Sequence, residues 1–250
     1  MSATTLIARK EAGELLLSPR GLAWLTAVAV ALSAFALLLV SNTELSLLDN
    51  AQVVYDMAGI VTGLGSLLGL VVGIDAVAGE RERGCLVPLL LAPASRSAIL
   101  LGKLGGVAIA WAVMYALSLP YLWAVGSTGQ NMADAMLVCG LLGTPIVLGF
   151  GFFGMGLGCW TRSSRTALLT GIVALLVAAS PLLLGPGLRQ SAVGAMFDAV
   201  NPFSAAVDAY DAVIIDSQTI AAQGAHILVA AAWIVLTLVF ARSGFAKVTR

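Results

Sequence analysis

Long apolar stretches, separated by short charged segments, constrain this chain more than any other feature of its sequence. An α-helix needs about 20 mostly apolar residues to cross the hydrocarbon core of a bilayer. Only 10% of the 250 residues are charged, against about 25% in soluble globular domains. Six stretches have the required character, at 21–40, 57–74, 104–125, 133–160, 166–185 and 225–241. The sequence therefore predicts an all-α membrane protein with six transmembrane helices.

Positive charge is divided unevenly among the segments that flank these stretches. Twelve of the thirteen Lys and Arg residues fall in the two terminal segments and in the second and fourth connections. They are Arg9, Lys10, Arg20, Arg81, Arg83, Arg96, Lys103, Arg162, Arg165, Arg242, Lys247 and Arg250. Only Arg189 lies in another connection. Because basic residues collect on the cytoplasmic side of a membrane protein, both termini are predicted to be cytoplasmic.

The N-terminal segment 4–18 is too short and too charged to cross the membrane. Its alanines and leucines can share one helix face, whereas Lys10 and Glu14 have the spacing of an i,i+4 ion pair. This pattern predicts an interfacial helix on the cytoplasmic leaflet, followed by a corner at Pro19. An ordinary charged flank of the first membrane helix is the alternative.

The connection 75–103, between the second and third predicted spans, has the densest pattern of charged and apolar residues. Alternating charges at 80–83 can extend the second helix beyond the membrane, and leucines at i, i+3 and i+4 predict a short apolar-faced helix over 84–91. Such a stripe on a charged loop is typical of a segment that docks in a partner's groove. A loop that packs on its own bundle is the alternative. The candidate coupling residues are Glu80, Arg81, Glu82, Arg83, Gly84, Leu86, Leu89, Leu90 and Pro93.

The connection 186–224 is the only sizeable segment predicted to lie outside. Asn201 and Pro202 suit the N-cap and first position of a helix. The following residues place an apolar face opposite Asp208 and Asp211, which predicts an amphipathic helix that dips toward the outer leaflet and shields the translocation path. A docking surface for a substrate protein is the alternative. The candidate residues of this helix are Asn201, Pro202, Phe203, Val207 and Tyr210.

Glycines and one proline predict how the helices pack. Gly65, Gly69 and Gly73 recur every four residues on one face of the second span, and a similar pair follows in the fourth span. Small residues at this spacing mark contact between helices, within a subunit or between subunits. Pro145 lies inside the long fourth span, and because proline removes a helix hydrogen bond, we expect this helix to be broken or bent there.

Several kinds of site are not expected in this chain. The single histidine, His226, lies at the edge of the last span, which disfavours haem and histidine-rich metal sites. No ionisable residue falls in the middle of a span, which disfavours an ion-coupled carrier. There is no Walker A motif, and the few, divided basic residues do not form a nucleic-acid surface. We therefore predict no catalytic residue, metal site, cofactor or nucleic-acid partner.

The connection 75–103 resembles the pattern D-x-x-x-x-E-R-E-x-G-T-L-x-x-L-L-x-x-P-x-S-R of ABC-2 type permeases, the membrane subunits of ATP-binding-cassette transporters. The matching residues are Asp75, Glu80, Arg81, Glu82, Gly84, Leu86, Leu89, Leu90, Pro93, Ser95 and Arg96. The Ala-Arg-Lys-Glu sequence at 8–11 and the Asn-Pro pair at 201–202 also resemble this family. Cys85 and Val87 depart from the Thr and Glu that are common at these positions.

The resemblance implies one transmembrane domain over 1–250 in a bacterial cytoplasmic (inner) membrane, paired with a second copy of itself. Two copies of a separate ABC ATPase would bind ATP and Mg²⁺ and engage the coupling segment 80–93. ATP-driven alternating access would then move a substrate, in the direction of export. The nearest resemblance is to permeases of the multicopper-enzyme-maturation type, including that serving nitrous oxide reductase, which adds a periplasmic partner protein as an expectation.

Two other functions stay open from the residues alone. One is a non-transporting membrane anchor or assembly protein for a cytoplasmic ATPase, and the other is a carrier or pore that works without ATP. An ATPase that co-purifies with the chain would favour the ABC permease or the membrane anchor over a carrier or pore that works without ATP.

Overall fold

The computed structural model describes residues 2–41, 50–91, 94–126, 132–180 and 191–248, which are almost entirely helical and contain no β-strand. The α-helices are α1 (Ala3–Leu17), α2 (Pro19–Ser41), α3 (Asn50–Ile74), α4 (Glu80–Glu82), α5 (Leu86–Leu91), α6 (Arg96–Gly126), α7 (Met132–Trp160), α8 (Ser164–Ala178), α9 (Ala192–Val200), α10 (Pro202–Tyr210) and α11 (Gly224–Val248). π-Helical turns at Asp75–Gly79 and Asp211–Ile215 extend α3 and α10, and a 3-10 turn at Ile220–Gln223 precedes α11.

Among the residues that the structure describes, five helical segments are long and apolar enough to cross a membrane. They are Gly21–Leu39, Ala51–Glu82, Arg96–Gly126, Met132–Trp160 and Ile220–Val248. They correspond to five of the predicted spans, so the expectation of an all-α fold with several membrane-crossing helices is confirmed. The remaining predicted span, 166–185, contains α8, which is apolar but has only 15 residues, and 181–185 lies outside the described residues. A sixth crossing stays a prediction.

The N-terminal helix α1 packs along the first turns of α6. Two glycines of α6 allow this close approach, because a Cβ added at Gly102 would lie 2.6 Å from the Cβ of Ile7, and one at Gly106 would lie 2.6 Å from the Cβ of Glu11. The helix predicted over 4–18 therefore forms and is packed against the bundle. Its place on a membrane surface stays a prediction.

Helix α7 lies at the centre of the bundle, with its most extensive contacts on α3 and α11. The glycine face of α3 is what brings α3 and α7 together. A Cβ on Gly69 would lie 2.7 Å from the carbonyl oxygen of Val147, and a Cβ on Gly73 would overlap the carbonyl of Gly151. The predicted small-residue face thus serves a contact within this chain, where close backbone approach maximises van der Waals packing.

The helix was expected to be broken or bent at Pro145. A break is wrong, because α7 continues as one α-helix from Met132 to Trp160, and a bend there stays a prediction. Proline leaves a backbone carbonyl of the preceding turn without its helical partner. Neighbouring polar groups and packed helices make this tolerable in an apolar environment. The carbonyl that Pro145 frees is that of Leu141. Beside it, the Thr144 hydroxyl donates to the carbonyl of Gly140 at 2.5 Å and accepts from the indole of Trp111 on α6 at 2.9 Å.

The glycine contact between α3 and α7 can be tested with a single added methyl group. Gly73→Ala would force the backbones of α3 and α7 apart, and overpacking of this kind typically costs about 1–3 kcal/mol. We expect a clearly lowered midpoint of thermal unfolding for the purified protein in detergent. Gly63→Ala, on the same helix but with open space at the added Cβ, is the matched control. Equal midpoints for the two variants would contradict this packing.

Candidate functional site at the basic end of the bundle

Residues of α1, α4 and α6 and of the α7–α8 connection meet at one end of the bundle. We call this the basic end, because Lys10, Arg81, Arg83 and Lys103 lie there and contact residues of these elements. It contains all the described residues of the coupling segment predicted at 80–93.

The coupling segment begins as a direct continuation of α3. The turn Asp75–Gly79 leads into α4, so the charged residues extend the second span as predicted. α4 ends at Glu82, and Gly84 just after it has a φ of +71°, in the left-handed region that glycine adopts without a steric penalty. α5 then runs from Leu86 to Leu91, so the short helix predicted over 84–91 forms and begins two residues later.

Glu80 is the centre of a buried ion cluster formed with α1 and α6. Its carboxylate accepts from the ammonium of Lys103 at 2.6 Å and from that of Lys10 at 3.1 Å. Lys103 also donates to Glu11 at 3.0 Å, and Lys10 lies 3.4 Å from Glu14. The side chains of Lys103 and Glu80 are 0% and 4% exposed. These charged residues therefore join three helices, with Lys103 and Glu80 buried at the centre and Lys10 and Glu14 at the exposed edge.

Burial and pairing compete in the α1 members of this cluster. The pKa of the Glu11 carboxyl is raised, because burial disfavours its charged form more than Lys103 favours it. Burial pulls the pKa of Lys10 down, but the hydrogen bond and charge of Glu80 outweigh that effect and leave it raised. Lys10 therefore stays protonated at neutral pH and continues to neutralise Glu80.

The charged residues that follow Glu80 form hydrogen bonds and an ion pair with other parts of the chain. The guanidinium of Arg81 donates to the carbonyl of Thr161 at 2.8 Å, just beyond the end of α7. The carboxylate of Glu82 accepts from the backbone N–H and the hydroxyl of Ser164 at 2.7 Å each, at the start of α8. Arg83 pairs with Asp75 on its own helix, at 3.1 Å. Each member of the 80–83 sequence thus has a partner within the chain.

The predicted stripe of docking leucines is only partly available. Leu86 is 3% exposed and packs in an apolar cluster with residues such as Val77 and Ile99, so the expectation that it faces a partner is wrong for this conformation. Leu89 is half-buried against the same cluster, whereas Leu91 is 80% exposed. The side chain of Leu90, and Pro93 as a whole, lie outside what the structure describes. The alternative interpretation, packing on the chain's own bundle, holds for one side of α5.

Sequence reasoning missed the partners of Glu80. Lys103 was counted only as a charge that marks the side of the membrane, and Glu11 only as part of a surface helix. The signal lay in the glycines on either side of Lys103, Gly102 and Gly106, because their spacing of four predicts a helix packed closely beside that lysine.

At the opposite end, the predicted outer helix forms as α10. The side chain of Asn201 accepts from the N–H of Phe203 at 2.9 Å as the N-cap, and donates to the carbonyl of Ala178 at the end of α8 at 2.8 Å. The hydroxyls of Tyr210 and Thr62 lie 2.8 Å apart. Pro202, Phe203, Val207 and Tyr210 are all buried.

Because nearly every position of α10 is buried among α3, α7 and α11, the expectation of a helix that dips toward the outer leaflet is wrong. The amphipathic helix of this region is α9, which lies just before it. None of its residues is buried, and Val193, Met196 and Val200 expose most of their apolar side chains. The buried α10 instead packs against α3, α7 and α11 and is hydrogen-bonded to the end of α8.

The ion cluster can be tested by removing its buried cation. Lys103→Met would leave Glu80 and Glu11 buried beside each other, and breaking a buried pair in this way costs about 3–5 kcal/mol. We expect a strongly lowered unfolding midpoint and less folded protein in detergent. Lys10→Met is the matched control, since Lys10 is half-exposed and its loss leaves Glu80 paired with Lys103. A Lys103→Met protein as stable as the control would show that the cluster does not hold the helices.

The profile of the family described as ABC-2 family transporter protein matches residues 5–249. Comparison with curated proteins gave no match. The family match covers nearly the whole sequence, including the coupling segment and all five helical segments long enough to cross a membrane. The chain is therefore a member of the ABC-2 family of transporter membrane proteins.

Proposed function

We propose that this chain is the permease subunit of an ABC transporter and works with a separate ATPase. The family match over residues 5–249 is the observation that carries the proposal. The sequence has no P-loop, so ATP and Mg²⁺ would bind to the ATPase subunits and not to this chain. In this arrangement the chain supplies the pathway and the partner supplies the energy.

The geometry of the basic end supports a mechanical link between the two subunits. The ATPase would contact the exposed side of α4 and α5, which includes Leu91 and Cys85. A displacement there would pass to α1 and α6 through Glu80, and to the α7–α8 connection through Arg81 and Glu82. The Glu80 contact is buried and those of Arg81 and Glu82 lie nearer the surface, so together they would link a displacement of α4 to three other helix ends.

The pathway would lie between this chain and a second copy, with two ATPases on the cytoplasmic side. The helices α2 and α11 support this, because few of their residues are buried and their apolar surfaces are available to lipid or to a partner helix. Alternating tilting of the two bundles would open the pathway to each side in turn. The twelve basic residues on one side support a cytoplasmic location for both termini in a bacterial inner membrane.

We further propose that transport is outward and serves maturation of a copper enzyme. The support is the nearer resemblance of the chain, within this family, to short permeases of that type. A periplasmic partner protein would meet the outer end, where α9 presents Val193 and Met196. A membrane anchor without transport uses the same ATPase contact, so ATP-dependent export is the property that separates the two functions.

The ATPase contact can be tested at the exposed end of α5. Leu91→Asp would place a charge in the interface, and loss of an apolar interface residue of this kind commonly costs more than about 1 kcal/mol of binding. We expect several-fold lower recovery of the co-purifying ATPase when the tagged permease is purified in detergent. The permease itself should remain as stable as wild type, because Leu91 makes little contact with the bundle.

Val193→Asp is the matched control, since Val193 is similarly exposed and lies at the opposite end of the bundle. It should recover the ATPase as well as wild type does. Equal recovery with Leu91→Asp would remove α5 from the interface. Absence of any co-purifying ATPase with the wild-type chain would contradict the proposed function and favour a carrier or pore.

A further inference from the structure

A groove of about 540 Å³ opens between the start of α6 and the end of α11 at the basic end. Leu100, Leu101 and Leu104 of α6 form one side, and Leu238 and Phe245 of α11 form the other. Both helices are long and apolar enough to span a membrane. The groove therefore runs along two helices whose exposed surfaces are suited to contact acyl chains.

Two arginines line the same groove at the helix ends. Arg96 is the first residue of α6 and Arg242 lies in the last two turns of α11. Both are exposed, and neither forms an ion pair with any residue that the structure describes. Leu104 lies about 12 Å further along α6 than Arg96, at 1.5 Å per residue. The groove thus combines two cations at the helix ends with apolar walls that extend toward the membrane centre.

We propose that an anionic phospholipid binds in this groove, with its phosphate between Arg96 and Arg242 and an acyl chain along the leucines. The planar guanidinium suits phosphate, because it can donate two parallel hydrogen bonds to the phosphate oxygens. Basic residues at the end of a membrane helix also attract anionic headgroups. A second copy of this chain would bring two further arginines to the same place, which disfavours it as the occupant.

The bound lipid would stabilise the segment that carries α5. Leu100, Leu104 and Phe245 line the groove and also belong to the apolar cluster that buries Leu86. An acyl chain in the groove would therefore pack against one side of this cluster, while α5 packs against the other side through Leu86. This consequence follows from the packing alone and does not depend on transport or on the identity of the ATPase.

Lipid titration of the purified full-length protein in detergent, followed by native mass spectrometry and by thermal unfolding, tests the site. Phosphatidylglycerol should bind the wild-type protein more tightly than phosphatidylcholine and raise its unfolding midpoint. The double variant Arg96→Gln with Arg242→Gln should bind phosphatidylglycerol roughly thirtyfold more weakly, since each cation near the surface contributes about a factor of five. Arg9→Gln with Arg162→Gln removes two exposed basic residues outside the groove and should bind like wild type.

A second variant covers the case in which the arginine variant fails to fold. Leu101→Trp fills the groove and keeps both arginines, so it should reduce phosphatidylglycerol binding and the accompanying rise in midpoint. Inorganic phosphate, tested at the same concentrations, should give no rise. Equal lipid binding by wild type and either groove variant, or equal stabilisation by the neutral lipid, would overturn the proposal. Equal stabilisation by inorganic phosphate would overturn it in favour of a site for the free anion.

Discussion

The ammonium of Lys103 lies out of contact with water between the carboxylates of Glu80 and Glu11, and the position of the whole basic end depends on it. A buried charge is tolerated only when its partners are close and its hydrogen bonds are made. The three helices that provide these groups therefore cannot separate without leaving a charge unpaired. Lys10 completes the cluster and balances its charge. This requirement fixes α1 against the bundle and gives the charged extension of α3 a single orientation.

The rest of the coupling segment follows from that orientation. With Glu80 facing inward, the next residues of α4 point toward the α7–α8 connection, where Arg81 and Glu82 find backbone and hydroxyl partners. The turn at Gly84 then directs α5 back so that Leu86 is buried and Leu91 is exposed. A short helix with one face on its own bundle and one face free can receive a force from outside and transmit it. This is the property that an ATPase-coupled permease requires.

Much of the fold could be predicted because membrane-spanning helices are recognisable in a sequence from their length and apolar composition. The five long helices and the glycine face of α3 both follow from local patterns that the bilayer imposes. Periodicity, however, shows which leucines of α5 share a face and not what covers that face, so the burial of Leu86 was not predictable. The same limit applies to α10, whose apolar residues suggested lipid but pack on protein.

Two further features depended on tertiary contacts that single-sequence patterns do not contain. That α7 continues past Pro145 follows from its packing against neighbouring helices and not from its own sequence. The pairing of Glu80 with Lys103 joins residues 23 positions apart, on separate helices. This pair could have been predicted by treating oppositely charged residues in different helical segments as possible ion-pair partners.

The most direct test of the account is whether motion at the coupling segment reaches the far end of the bundle. Spin labels on Val193→Cys, in a Cys85→Ser background, would report the distance between the outer ends of the two copies in a permease–ATPase complex. The account predicts that ATP with vanadate shifts this distance in the complex with the intact ion cluster. It predicts no shift when Glu80→Gln and Lys103→Gln replace the ion pair, although the ATPase still binds. An equal shift in both complexes would contradict the claim that this cluster couples the subunits.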